Sequence, residues 1–235
     1  MFYKNNKRKK AFTLAEVLIT LSIIGVIAAM TIPTLVLNYQ RNITETRIKA
    51  FYSNMTQAVG QWLAEEHMEP KDVYFQNMGS SDNFVTWWNN NIGKHLTVSN
   101  VEAIAKVGSF PAIRLTMLDG SAANVYINNP NNKNAAMHFF WYAERRFCPE
   151  RFENAVDGRR AFLFTLHSGN YSNENLPNKG ENYKGRFITS MVSTQAQSRE
   201  ALLQNCGGSI ANGRYGCTRL IEVDGWKIKS DYPWF

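Results

Sequence analysis

The chain opens on a short polar, basic stretch and passes abruptly into an apolar one. Phe12 to Leu37, FTLAEVLITLSIIGVIAAMTIPTLVL, runs for 26 residues with a single charge, Glu16. As a helix rising about 1.5 Å per residue it reaches about 39 Å, more than a hydrocarbon core of about 30 Å. Beyond Leu37 the sequence turns polar but keeps a helical beat. Ile48, Phe51, Tyr52, Met55, Val59 and Trp62 share one apolar stripe, while Thr44, Glu45, Arg47 and Lys49 fall on other faces. Pro70 stops the pattern. One helix is therefore predicted from Phe12 to about Glu69, apolar all round over residues 12–37 and amphipathic over 38–69. The stripe needs a folded domain to pack on, and the bare half needs lipid or other copies of itself.

Residues 70–235 show short alternating runs. Residues 71–110 read as a mixed connection, with Trp87, Trp88 and the asparagine run 89–91 marking a short helix that ends in a loop. Ala112–Leu118 and Ala122–Ile127 read as strands joined by Asp119-Gly120, a hairpin signal. Asn128–Asn134 is a loop. Ala161–His167 is the clearest later strand, entered through Asp157-Gly158, and Phe187–Val192 reads as a further short strand. The aromatic end, Gly225 to Ile228 and Tyr232 to Phe235, is expected to pack back on the sheet. The predicted architecture is α+β, a long helix laid on an antiparallel sheet.

The formal charge of +7 changes meaning once located. Lys4, Lys7, Arg8, Lys9 and Lys10 precede the apolar stretch, and the remaining chain holds 21 basic against 19 acidic residues. The excess is a property of the leader, read by a membrane surface and not by a polyanion, so no nucleic acid is expected as a partner. Cations ahead of a first span stay cytoplasmic, which places the C-terminal domain outside the cytoplasm. Cysteines tend to pair there, and three cysteines leave one over.

The apolar stretch is about twice the 7–15 residues of a secretory signal, and no A-x-A-like site follows it. The small residue Ala11, between the basic and apolar blocks, is the plausible place for processing. KKAFTLAEVLITLSIIGVIAAMTIPTL closely resembles the N-terminus of type IV pilins and of the pseudopilins of type II secretion systems. The shared features are a short basic leader, a small residue before a phenylalanine, and a glutamate fifth after the junction. The resemblance implies a pilin-like fold with leader 1–11, cleavage between Ala11 and Phe12 by a prepilin peptidase, and N-methylation of Phe12. The family usually has glycine where this chain has Ala11. Across residues 7–40 the likeness is specific; beyond, it holds in outline only, as at Asp157-Gly158, loosely similar to a turn in some pseudopilins.

A carboxylate inside a span usually has a partner and a purpose. By the resemblance, Glu16 of one subunit meets the Phe12 amine of a neighbour and sets the stagger between copies. The plainer reading is a glutamate tolerated near the interface by snorkelling or protonation. Gly25 and Pro33 fall where the family places helix-loosening residues, though both are common in transmembrane helices. Cys206 and Cys217 enclose a glycine-rich loop, and the family often closes its C-terminal region with a bridge. That pair is expected, with Cys148 free, although the sequence leaves pairings through Cys148 open.

No enzyme motif emerges. His67, His95, His138 and His167 lie far apart, no C-x-x-C or calcium-loop register is present, and no nucleophile elbow appears. No cofactor or metal is expected. Phe139 to Tyr142 is read as core, with a binding platform as the alternative. The function expected is a structural subunit of a pilus or pseudopilus. It would be held in the inner membrane and extracted into a periplasmic or surface filament. Its partners are copies of itself, other pilins, the prepilin peptidase, an assembly platform and membrane lipid. The alternatives are a single-pass anchored binding or adhesion protein with an uncleaved N-terminus, and a DNA-uptake pilin, which needs a basic face.

Overall fold

A computed structural model describes residues 12–130, 132, 134–150, 156–172, 177–209 and 214–235. The leader and Ala11 lie outside the described residues, as do 131, 133, 151–155, 173–176 and 210–213. Helix α1 runs over Leu14–Glu65, and the chain divides into two compact units at Asn42 and Ile43.

In the second unit α1 buries Ile48, Phe51, Met55, Ala58, Val59 and Trp62, with Tyr52 half-buried. Thr44 and Glu45 are buried as well, which corrects their assignment to the polar face. Glu45 is held by the backbone N–H of Ile228 and by Lys227 Nζ, each at 2.8 Å. The helix stops four residues short of the predicted end, and Pro70 is not the cause. His67 takes a left-handed φ of 53°, its N–H reaches Ala64 O, and Met68 N–H reaches Leu63 O. That is a Schellman closure with histidine in the position glycine usually fills.

The sheet is a six-stranded antiparallel meander in chain order. Its strands are β1 (Val98–Val107), β2 (Phe110–Met117), β3 (Ala122–Asn128), β4 (Ala136–Tyr142), β5 (Ala161–His167) and β6 (Phe187–Thr189). The α+β class is as predicted. Two strands were not: β1 lies inside the stretch read as a connection, and β4 was seen as aromatic core without its strand. The Asp119-Gly120 hairpin forms as a three-residue turn. Gly120, at φ 83°, donates to Met117 O, and Met117 N–H returns to Ser121 O. The Asp157 turn is built on one oxygen: Oδ1 accepts N–H bonds from Arg159, Arg160 and Ala161 at 2.6–2.9 Å.

Phe51 anchors the helix on the sheet, packing at 5.1–6.0 Å against Trp141, Phe164 and Phe187. Period two then explains the aromatic run of β4. Phe139 and Trp141 face α1, whereas Phe140 and Tyr142 join a second small core on the opposite face. Helix α2 (Ser81–Asn90) is stitched into the sheet at its first residue. The register of β1 on β2 breaks between Ile104 and Val107, and Ser81 Oγ donates to Ile104 O while accepting Ala112 N–H.

After β6 come three short helices, α3 (Val192–Gln195), α4 (Arg199–Gly207) and α5 (Gly216–Val223). None was predicted, since the glycines around 207 read as loop. Thr218 of α5 takes the N–H of Leu163 at 3.1 Å, and Ser190 N–H bonds Leu163 O at 2.7 Å. The last residues fold back as expected: Ile228 and Tyr232 are buried, and Tyr232 OH donates to Gly158 O at 2.6 Å.

Candidate functional site in the apolar helix

The first turn of α1 is a reciprocal cap. Thr13 accepts the first helical bond from Val17 N–H and stands as the N-cap, with Glu16 as third helical residue. Thr13 Oγ1 accepts Glu16 N–H at 3.2 Å, and Glu16 Oε2 accepts the Thr13 N–H and hydroxyl, both at 2.9 Å. This is the S/T-x-x-E capping box, in which two donors without helical partners are satisfied at once. The negative carboxylate also sits at the positive end of the helix dipole. Thr13 is the residue that the sequence reading missed, although T-x-x-E was its signal.

Phe12 precedes the cap and is 85 % exposed. It lines one side of the helix with Glu16, Val17 and Thr20. From there to Leu37 the large apolar side chains are all exposed, and α1 is long and apolar enough to cross a membrane. The polar side chains in this run close on the helix itself: Thr20, Ser22 and Thr31 donate to the carbonyls of Val17, Leu18 and Ile27 at 2.8–3.0 Å. Such bonding suits a segment without water. Gly25 and Pro33 do not break α1, and a Cβ at Gly25 would meet nothing within 4 Å. Proline nonetheless cannot donate to the Ala29 carbonyl, so the helix lacks one rung there.

Phe12 and Glu16 therefore stand together at one helix end, Gly25 and Pro33 follow along the same helix, and the cysteines belong to the other unit. Cys206 of α4 and Cys217 of α5 are joined by a disulfide with Cα atoms 4.6 Å apart. The enclosed stretch is thus bounded by two helices, where a flexible loop was read. Trp234 Nε1 donates to Cys206 O at 2.8 Å, and the Arg214 guanidinium lies 3.4 Å over the Trp234 ring.

Cys148 is free and buried. Its Sγ donates to Asn124 Oδ1 at 3.2 Å, and burial pushes the thiol pKa up against the opposing pull of Arg114. Arg114 is buried too and is spent on Asn124, Pro149 O, Glu102 and Glu150. Both features make the thiol slow to react. In the folded, unreduced protein a maleimide is expected to label nothing rapidly, and in denaturant without reductant to label one thiol, Cys148. Modification at Cys206 or Cys217 under those conditions would refute the pairing.

Residues 6–32 match the prokaryotic N-terminal methylation motif, the signal motif of type IV pilins and pseudopilins. The chain is thus pilin-like or pseudopilin-like at the end where the capped apolar helix lies. None of the curated proteins and none of the solved structures matches it. Residues 34–234, nearly all that follows the motif, match the family of unknown function DUF6613, and the chain belongs to that family.

Proposed function

We propose that the chain is a structural subunit of a type IV pilus or type II secretion pseudopilus. Prepilin peptidase cuts between Ala11 and Phe12, and the new Phe12 amine is methylated. Residues 12–37 hold the subunit in the inner membrane with the folded unit outside the cytoplasm, and then become filament core against neighbouring copies. Gly25 and Pro33 let that segment adjust. The carrying observation is the methylation motif on an apolar helix whose large side chains have no cover of their own.

In this role Glu16 pairs with the Phe12 amine of a neighbour, as opposite charges in low dielectric attract strongly. The capping box supports the reading in one respect. Before any neighbour arrives, one carboxylate oxygen already accepts two hydrogen bonds from Thr13, while its charge is left for the neighbour's amine to compensate.

The test is the N-terminus of the protein extracted from membranes. A chain beginning at N-methylated Phe12 is expected by Edman or mass analysis. A chain beginning at Met1 sinks the filament reading and favours an uncleaved, single-pass anchored binding protein.

A further inference from the structure

Two histidines lie together on the face of the sheet turned away from α1. Met137 and Phe139 of β4 and Phe164 and Leu166 of β5 fill the core under the helix, so His138 and His167 project the other way. The register sets His138 opposite Thr165, two residues from His167, which makes the imidazoles diagonal neighbours. His138 is 7 % exposed and His167 5 %.

Their environments differ. Asn128 Nδ2 and Thr165 Oγ1 approach the two nitrogens of His138, each at 3.3 Å. An amide nitrogen only donates, so Nε2 accepts and the neutral ring carries its proton on Nδ1, toward Thr165. Among the described residues neither nitrogen of His167 has a partner. Its ring is covered by that of Tyr171, with centroids 4.1 Å apart. The titratable groups against the pair are Tyr126 of β3, 4.9 Å from the His138 ring, Tyr171 after β5, and the histidines themselves. Among the described residues no carboxylate, lysine or arginine bonds either ring.

We propose that His138 and His167 form an acid-sensitive latch. At neutral pH the uncharged pair keeps Tyr171, in the described stretch 169–172, seated over the end of β4 and β5. Acidification lifts that cover and opens this corner of the sheet to solvent. Each histidine takes one proton from water, and two cations then stand on adjacent strands with no counter-charge among the described residues.

The direction follows from linkage. Burial pushes the His138 pKa down to about 4, and burial together with His138 pushes that of His167 down to about 3. Free imidazole titrates near 6.5, so the open state takes up protons that the closed state refuses. The closed state is fully favoured above about pH 6.5 and loses its advantage as pH falls from there toward 4 and 3. An exported protein meets such pH changes directly. The near end of the segment is pinned at Gly169, whose N–H bonds Val73 O at 2.7 Å and whose site admits no Cβ, since one would sit 1.9 Å from Lys71 O.

Hydrogen exchange on the full chain in detergent tests the latch. After correction for the intrinsic rate, peptides covering 136–142 and 161–172 are expected to exchange at least about ten-fold faster at pH 5.0 than at pH 7.5. Peptides from α1 over 43–65 stay protected in the same labelling window. His167→Phe keeps a ring against Tyr171 and is expected to remove most of the acceleration. Equal corrected rates at the two pH values overturn the proposal. So does acceleration that appears only together with 43–65, which would be global unfolding. A full acid response in a folded His167→Phe also overturns it, and the wild-type comparison decides alone if that variant does not fold.

Discussion

Under the proposed filament role, Glu16→Ala is expected to insert in the membrane and to be processed as the wild type would be, and then to be lost from filaments. The cut site and the apolar run are untouched, so the early steps have no reason to fail. Assembly differs, because each neighbour's Phe12 amine would be buried without its counter-charge. Breaking one side of a buried pair costs about 3–5 kcal/mol, and each 1.4 kcal/mol is about ten-fold. Incorporation should therefore fall by more than about 100-fold per contact. The capping box complicates the alanine variant, because it also removes the acceptor of the Thr13 N–H. Glu16→Gln separates the two roles. Glutamine still closes a capping box but carries no charge, so it should restore the helix start and still fail in assembly. Sheared and pelleted filaments from cells expressing each variant give the readout. Wild-type yield from the Glu16→Gln variant would leave the acid as a cap and nothing more.

The long helix and its buried stripe were legible because period 3.6 persists over many turns, and the hairpin was legible because Asp119-Gly120 permits little else. Strand β5 was legible through its unbroken apolar run. β1 was not, for a physical reason: it is an edge strand, half exposed and nowhere fully buried, with Glu102 spent on Arg114 and Lys106 on Gly79 O. Val98 and Val101 reach the core only in part, so the strand carries no clean alternation of buried and exposed positions. Helices α4 and α5 escaped because each is under ten residues and is held by tertiary links, Ser198 as cap, the disulfide, and Thr218 on the sheet. Glu45 was misplaced because its partners lie some 180 residues downstream, beyond any local pattern. At the first turn of α1 the sequence marks Glu16 by its charge, whereas Thr13 shows only in the T-x-x-E spacing of a capping box.

Removing the disulfide is the second large effect. Replacing Cys206 and Cys217 together by serine should lower stability by about 3 kcal/mol, the scale for a bridge that closes so short a loop. For a folded unit of this size that is a fall of roughly 6–12 °C in Tm. The damage should spread from α4 and α5 to the end of the chain, since Trp234 hangs on the Cys206 carbonyl. Thermal unfolding of detergent-solubilised protein, followed by tryptophan fluorescence, reads both at once. Reduced wild-type protein should match the double variant. A midpoint within about 2 °C of the oxidised wild type would mean that the burial of both helices alone carries the region.

The reciprocal bonds between Thr13 and Glu16 also bear on traffic. On the proposed function, a subunit that brings its own donors would enter the bilayer with its acid already hydrogen-bonded. Joining the proposed filament would then be an exchange of the neutral donors of Thr13 for a charged amine. Such an exchange discriminates. Only a neighbour that offers its amine at the right height out-competes Thr13, while a misaligned one leaves the carboxylate at home. On that proposal the first turn of α1 would act as a comparator between arrivals.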